Sequence, residues 1–192
     1  RLTSTVARGG NYMLNVGPTG TGVIPDMAAS GLRSAGDWLK TYGDTIYGAK
    51  ASPWGRAQSW GDITVKGNKL YLHVFDWPEN GKIALSGLSN DITSARILNS
   101  EAPSVIDSLF SDDKGAVAVN KQESGWTTFT LPAHKPDTIV PVIVVELNGE
   151  PKVDDTPGID PHIKTTLNSA FATCNGCKNT EIRWMQKFGD WN

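Results

Sequence analysis

Residues 9–25, GGNYMLNVGPTGTGVIP, constrain the fold of this chain more than any other segment. Residues 12–16 are apolar except for Asn15, which is typical of a strand covered on both faces of a parallel sheet. A turn rich in Gly and Pro follows, and a segment with helical spacing comes next. Parallel strands pair only through crossover connections, so one strand and its helix cannot complete such a sheet. We therefore expect further elements of this sheet upstream of Arg1.

The segment after the turn predicts an amphipathic helix over residues 25–42. Pro25 suits the first turn of a helix, and Asp26 places a negative charge at the positive end of the helix dipole. Gly43 stands where a glycine commonly ends a helix. The apolar positions recur at helical spacing, at Ala28, Leu32, Ala35, Leu39 and Tyr42.

From residue 60 onward, the hydrophobic period changes from that of a helix to that of a strand. Short β-rich runs are separated by turn sequences such as Gly67-Asn68 and Asn80-Gly81. Strands of this length with such turns predict an antiparallel β-sandwich, which we place at residues 51–148. The predicted strands are 63–65, 70–75, 82–85, 95–98, 117–119, 126–131 and 140–147.

Residues 149–192 differ from the rest in composition. The sequences at 148–151 and 154–158 are typical of a linker. Residues 163–171 and 181–188 each predict one strand. Two strands in so short a segment bury little core, so we expect 149–192 to be a linker and the start of another β domain that continues beyond Asn192.

Short motifs follow one another in order along residues 10–78. They are Gly10-Asn11, Leu14-Asn15, Gly17-Pro18, Gly22, Ile24-Pro25, Gly36-Asp37-Trp38-Leu39, Gly43, Ile46-Tyr47-Gly48, Leu70-Tyr71-Leu72-His73-Val74 and Asp76-Trp77-Pro78. With these motifs, the chain resembles the C-terminal part of an α-L-fucosidase of glycoside hydrolase family 29 over residues 5–148. In that family a (β/α)8 barrel is followed by a β-sandwich. The resemblance implies that residues 1–50 are the last strand and helix of the catalytic barrel.

The resemblance also implies a function. Its members are retaining exo-acting hydrolases that release L-fucose from glycans, so the implied substrate is a fucosylated glycan and the implied partner is the upstream part of the barrel. Retaining hydrolysis needs two carboxyl groups, and in this family both precede the final barrel strand, so no catalytic residue is assigned to this chain. The family usually has an acidic residue where this chain has Thr21, so the resemblance assigns no carboxylate role there.

Asn15 is the candidate substrate-binding residue, because the loops after barrel strands carry the active site in barrel enzymes. Its amide has three possible roles: to orient a carboxylate, to contact the sugar, or to satisfy backbone groups at the turn before Gly17. The third is favoured from the residues alone. Asp76 ends a strand just before Pro78, where a carboxylate commonly caps a turn.

Other site classes find little support. The net charge of −2 gives no footprint for nucleic acid or an anionic membrane, and no apolar run is long enough to span a bilayer. No cofactor motif or metal-ligand set is recognised. His73 lies within a predicted strand and lacks a partner at ligand spacing, which indicates a packed or turn-bonded residue. Cys174 and Cys177 predict an ordinary turn, reduced or closed by a disulfide, with redox or metal roles as alternatives. A periplasmic, secreted or lysosomal location would suit the family.

A non-catalytic carbohydrate-binding or adhesion module with a β-sandwich fold is the alternative function. It depends on the tryptophans, because aromatic faces stack on sugars. Trp54, Trp60 and Trp77 flank the predicted junction between barrel and sandwich. We favour packing between domains for these side chains, since large aromatic residues dominate such interfaces.

Overall fold

The computed structural model describes residues 1–98, 115–123 and 125–154, together with the backbone of two short strands at residues 179–182 and 185–188. These parts are mostly antiparallel sheet with few helices. None of their helices is long and apolar enough to cross a lipid bilayer. The elements are α1 (Leu2–Val6), α2 (Asp26–Tyr42), a 3-10 turn (Gly43–Thr45), β1 (Gly61–Lys66), β2 (Lys69–Val74), β3 (Lys82–Ser86), β4 (Ile92–Ile97), β5 (Ala118–Lys121), β6 (Trp126–Thr130), β7 (Val142–Leu147), β8 (Asn179–Ile182) and β9 (Met185–Phe188).

Two antiparallel sheets enclose the main core. One has the strand order β1-β2-β7-β4 and the other has the order β3-β6-β5. In the first sheet Ile63 lies opposite Leu72, which in turn lies opposite Ile143. Since side chains alternate along a strand, these three residues share one face, and they pack against Leu85 and Phe129 of the second sheet. The predicted antiparallel β architecture is confirmed.

Strand β3 is an edge strand, and two tryptophans cap its open edge. The hydrogen bonds at both ends of β3 direct its odd-numbered residues toward β6, so the carbonyl groups of Ala84 and Ser86 face away from the sheet. Trp60 Nε1 donates to the oxygen of Ala84 at 3.1 Å, and Trp54 Nε1 donates to the oxygen of Ser86 at 2.7 Å. Open sheet edges leave backbone groups unpaired, and these two indoles satisfy them from within the core.

Helix α2 agrees with the sequence-based helix to within one residue. Gly43 does follow it, but the backbone there stays right-handed and continues into the 3-10 turn. The need for glycine has another cause: a Cβ at Gly43 would lie 3.0 Å from the ring of Tyr47. A side chain at this position would push the Tyr47 ring away.

The predicted strand at residues 12–16 is wrong for the chain as it stands. These residues form no strand and have no sheet partner among the described residues. A strand is stabilised by hydrogen bonds to a neighbour, and apolar periodicity alone does not supply one.

Of the two strands predicted after residue 160, one can be compared with the structure and the other cannot. The single strand predicted at 181–188 is wrong, because β8 and β9 form an antiparallel hairpin with Ile182 opposite Met185. A β-rich run does not show by itself where one strand ends and the next begins. The strand predicted at 163–171 lies outside the described residues, as do Cys174 and Cys177.

Residues 148–151, predicted as linker, are held on the sandwich instead. Ser89 donates its backbone N–H to the oxygen of Lys152 at 2.9 Å, as in an added strand. The buried side chain of Asn90 donates to the oxygen of Glu150 at 3.1 Å and accepts from the N–H of Lys152 at 2.6 Å. The prediction failed because a polar, turn-rich composition does not reveal hydrogen bonds to a distant loop.

Candidate functional site

The segment that carries Asn15 lies on the surface between α1 and α2. Asn15 itself is exposed, and the following turn is closed by a backbone hydrogen bond of 2.8 Å from Thr19 to Val23. Thr21 Oγ1 lies 2.9 Å from Thr19 Oγ1, so the residue that replaces the expected carboxylate takes part in this turn. The geometry leaves the Asn15 amide accessible to solvent or to a ligand.

Apolar side chains of the same segment are also exposed. The exposed fraction is 82% for Met13, 56% for Leu14 and 88% for Met27. Val23 and Ile24 are exposed as well. Several exposed large apolar side chains within one short segment are uncommon on a soluble monomer and indicate a contact surface. This set, at residues 12–14, 23, 24 and 27, is called the apolar N-terminal segment below.

A cleft of about 520 Å³ borders this segment. It is lined by Arg1, Ser4, Thr5, Arg8, Gly10 and Tyr12. Arg8 is already engaged, since its Nη1 lies 2.9 Å from Asp62 Oδ1. The side chain of Asp62 is 3% exposed. This ion pair therefore attaches the end of α1 to β1.

The other carboxylates that the structure describes give no catalytic pair that we can assign. Asp37 lies 2.7 Å from Lys40, and Glu146 lies 2.9 Å from Lys69. The neighbouring ammonium of Lys69 lowers the pKa of Glu146, whereas a general acid for glycoside hydrolysis requires a raised pKa. Asp76 is exposed beyond the end of β2. The described residues also include no cluster of three or more His, Cys, Asp or Glu that could hold a metal ion.

The C-terminal end of α2 is docked on the outer face of the first sheet. Trp38 Nε1 donates to the oxygen of Val140 at 2.9 Å, and the rings of Trp38 and Tyr42 stack with centroids 5.2 Å apart. Tyr42 packs in a second, smaller cluster with Tyr71 and Val144. By contrast, most of α2 before Trp38 is exposed.

His73 lies beneath this docked end of the helix. Its ring is fully buried, with Nε2 3.0 Å from Thr64 Oγ1. Burial lowers the pKa of His73 to about 3. The sequence indicated a packed histidine, but it did not reveal the contact with Thr64, which falls on the strand face that a period-two pattern assigns to solvent.

The junction tryptophans are packing residues. Trp54 and Trp60 are 4% and 6% exposed, and both belong to the main core. Trp77 is partly buried against the same core and donates to the oxygen of Pro132 at 3.2 Å. Trp54 and Trp60 therefore have no ring face available for stacking on a sugar, as the packing interpretation requires.

Comparisons with known proteins agree on one class. A family model described as α-L-fucosidase matches residues 1–44. The α-L-fucosidase of Branchiostoma floridae is 39% identical over 110 residues, which cover 53% of this chain and 23% of that protein. The crystal structure of α-L-fucosidase from Vibrio sp. strain EJY3 has a TM-score of 0.63 and 29% identity, covering 80% of this chain and 26% of that chain. Isoenzyme 1 from Paenibacillus thiaminolyticus has a TM-score of 0.58 and 33% identity, covering 75% and 32%.

These relatives and solved structures agree on the class of protein that the chain is similar to, the glycoside hydrolases. More particularly, it is similar to a portion of an α-L-fucosidase. It spans 23% of the Branchiostoma floridae protein and 26% of the Vibrio chain.

Proposed function

We propose that this chain is the C-terminal portion of an α-L-fucosidase that releases L-fucose from fucosylated glycans, and that bond cleavage depends on residues upstream of Arg1. Residues 1–50 form the end of the catalytic barrel and 51–148 the β-sandwich, on which residues 149–154 are also held. The rest of 149–192 is a linker and the start of a further β domain. The observation that carries the proposal is the agreement of the family model, the Branchiostoma floridae relative and the solved structures named above, each of which is an α-L-fucosidase.

The apolar N-terminal segment supports the barrel assignment. Met13 and Leu14 are exposed, whereas the aliphatic side chains of β1, β2, β3 and β7 are buried. In a barrel, residues 12–16 gain neighbouring strands, and the apolar side chains are covered from both faces. The upstream part of the enzyme is the partner that fits this surface.

The carboxylates support the assignment of cleavage to upstream residues. A retaining glycosidase places its nucleophile and its acid/base roughly 5 Å apart. Asp62 and Glu146 are each committed to a cation. The chain contributes the sandwich that supports the barrel end, and Asn15 contributes an amide at the mouth of the barrel.

Activity of a chimeric enzyme tests this proposal. The upstream part of the Paenibacillus thiaminolyticus isoenzyme is joined to residues 1–192 at the aligned position. We expect the chimera to hydrolyse an aryl α-L-fucoside and the purified 192-residue chain to be inactive. Turnover by the purified chain, lost on replacing Asp76 or another of its own carboxylates, would contradict the proposal.

Asn15 is tested in the same chimera. A hydrogen bond to the sugar contributes about 1 kcal/mol, so Asn15→Ala should raise the Michaelis constant about fivefold to tenfold. Asn11→Ala, which changes an exposed amide in the same segment, is the matched control and should leave the constant unchanged. Equal effects of the two substitutions would show that Asn15 is not a substrate contact.

The binding-module alternative makes a different prediction for the isolated chain. It requires the 192 residues alone to bind L-fucose or a fucosylated oligosaccharide, whereas the proposed function requires the upstream barrel for binding. Calorimetric titration of the purified chain with L-fucose and with 2′-fucosyllactose separates the two. No described feature favours the alternative, since Trp54 and Trp60 are buried.

A further inference from the structure

A chain of buried hydrogen bonds connects the end of α2 to the first sheet. Thr45 Oγ1 donates to the oxygen of Tyr42 at 2.7 Å, and Thr64 Oγ1 donates to the oxygen of Thr45 at 2.7 Å. His73 Nε2 lies 3.0 Å from Thr64 Oγ1. Thr45, Thr64 and His73 are all completely buried. The three residues belong to the 3-10 turn, β1 and β2, so this network connects the end of α2 and the 3-10 turn to the first sheet.

The network determines which nitrogen of His73 carries the proton. A threonine hydroxyl has one hydrogen, and that of Thr64 is directed at the carbonyl oxygen of Thr45. Thr64 Oγ1 can then only accept from His73, so Nε2 is the protonated nitrogen. Nδ1 is left as a bare acceptor, and it is buried without a hydrogen-bond partner among the described residues.

A second proton on His73 would therefore go to Nδ1, where no described group accepts it. A buried charge or an unsatisfied buried N–H is costly. The ring of Trp38 lies 6.1 Å away, and Val142 lies opposite His73 in β7. Neither neighbour offers an acceptor to Nδ1, so this environment favours the neutral ring.

Several charged groups lie near His73 on the same face of the first sheet. Asp62 lies opposite His73 in the register of β1 and β2, but its carboxylate is paired with Arg8 at the end of α1. Asp44 of the 3-10 turn is exposed and lies 3.8 Å from Lys66 of β1. The same face of the sheet also carries Tyr42 of α2, Lys69 and Tyr71 of β2, Glu146 of β7 and Arg96 of β4, and Lys69 and Glu146 are paired with each other.

We propose that His73, Thr64 and Thr45 form a pH-dependent latch, which holds the end of α2 and the 3-10 turn on the sheet while His73 is neutral and releases them when Nδ1 is protonated. Release frees the outer face of the first sheet only. The main core between the two sheets, which contains none of these three residues, stays folded. The latch acts where the end of α2 and the 3-10 turn contact the first sheet, and it does not depend on sugar binding or hydrolysis.

The direction of the pH response follows from the two protonation equilibria. The docked ring has a pKa lowered by burial to about 3, whereas the ring after release has the ordinary value of about 6.5. Protons therefore bind the released form more tightly, and docking is lost as the pH falls below the released value. Between pH 7.5 and 4.5, the equilibrium constant for release should rise about 100-fold.

Nuclear magnetic resonance of the full chain with labelled histidine tests the protonation state. The chain has three histidines, His73, His134 and His162, and the variants His134→Gln and His162→Gln assign the signals. At pH 7.5 we expect His73 to show the neutral form protonated at Nε2. A His73 ring protonated at Nδ1, or one that titrates near its ordinary pKa while residues 38–47 stay protected from exchange, overturns the proposal.

Hydrogen exchange followed by mass spectrometry tests release. After correction for intrinsic rates, a peptide covering residues 38–47 should exchange about 100-fold faster at pH 4.5 than at pH 7.5, while β7 stays protected. His73→Gln keeps a donor near the position of Nε2 but cannot be protonated, so it should remove this pH response. His134→Gln, which changes an exposed histidine, should retain it.

A second pair of variants keeps the test valid if His73→Gln does not fold. Thr64→Ser keeps the hydroxyl and should preserve the pH response. Thr64→Val removes the hydroxyl, so residues 38–47 should exchange fast at both pH values. A pH response that persists in His73→Gln, or in Thr64→Val at the wild-type amplitude, shows that another group controls the boundary and refutes the latch.

Discussion

Replacement of Trp60 separates two contributions that this side chain makes to stability. Its ring fills the core between the sheets, and its Nε1–H satisfies the edge carbonyl of Ala84 at 3.1 Å. Trp60→Phe removes the hydrogen bond but keeps most of the ring. Trp60→Ala removes both, so the difference between the two variants isolates the packing.

The size of each effect follows from burial. An unsatisfied carbonyl costs about 1–3 kcal/mol, and we expect Trp60→Phe to lower the free energy of unfolding by about 1–2 kcal/mol. Loss of a buried aromatic ring costs about 3–5 kcal/mol, so Trp60→Ala should cost about 4–6 kcal/mol in all. Because domains have a total stability of about 5–15 kcal/mol, the alanine variant should be close to unfolding at 25 °C.

Urea unfolding of the full chain, followed by far-ultraviolet circular dichroism, measures these differences. Met13→Ala is the matched control, because Met13 is 82% exposed and surface substitutions change stability by less than about 0.5 kcal/mol. In the complete enzyme, Trp60→Phe should lower the melting temperature and leave the Michaelis constant for the fucoside unchanged. An unchanged melting temperature with a raised Michaelis constant would refute the packing interpretation and revive the binding module.

Three further predictions concern the attachment of the N-terminal residues and the surface charges. Arg8→Met leaves the buried carboxylate of Asp62 without its cation, and it should lower the free energy of unfolding by about 1–3 kcal/mol in urea titrations; no change would mean that the pair is not formed in solution. Chymotrypsin should cut within residues 9–25 before it cuts any strand of the sandwich, as mass spectrometry of early digests would show, and equal resistance of both regions in a monomeric sample would contradict the exposed segment. Lys69→Met should raise the pKa of Glu146 toward its ordinary value, and it should lower the free energy of unfolding at pH 7 by less than about 1 kcal/mol while leaving it unchanged at pH 2, because the pair adds stability only above about pH 4.3. An equal loss at both pH values would point to packing of the Lys69 stem instead.

The sandwich was predictable from the sequence because each of its strands carries its own pattern. Ile63 and Val65 in β1, and Leu70, Leu72 and Val74 in β2, alternate with other residues and belong to the same core. The turn sequences between them match the observed strand ends to within a few residues. This information is local, so it can be read without knowing the partners of a strand.

Residues 12–16 show where local information is insufficient. Their apolar pattern is as strong as that of the sandwich strands, yet they form no strand in the structure. A strand needs neighbours on the sheet, and the neighbours of this segment are not among the described residues. The barrel strand stays a prediction about a longer protein, and its residues lie within the segment 1–44 that matches the α-L-fucosidase family model.

The polar face of β1 shows a second place where local sequence information is insufficient. Asp62 and Thr64 alternate with apolar residues, so the pattern predicts that they face solvent, but both are buried. The cover comes from α1 and the end of α2, which lie far away in sequence, and no local signal encodes this contact. The only hint was that His73 and Tyr71 in β2 share this face with them.

The two faces of the first sheet differ in the kind of contact that stabilises them. The inner face is held by many apolar side chains, whose burial contributes about 1.5–3 kcal/mol each, with little dependence on pH. The outer face is held by an ion pair, a tryptophan hydrogen bond, the Thr64–His73 network and the small apolar cluster around Tyr42. Net contributions of single hydrogen bonds are only about 0.5–1.5 kcal/mol, and this cluster has far fewer members than the main core, so the N-terminal residues are attached less strongly than the two sheets are to each other. A perturbation of a single buried group such as His73 can then undock them, while the same perturbation leaves the core between the sheets intact.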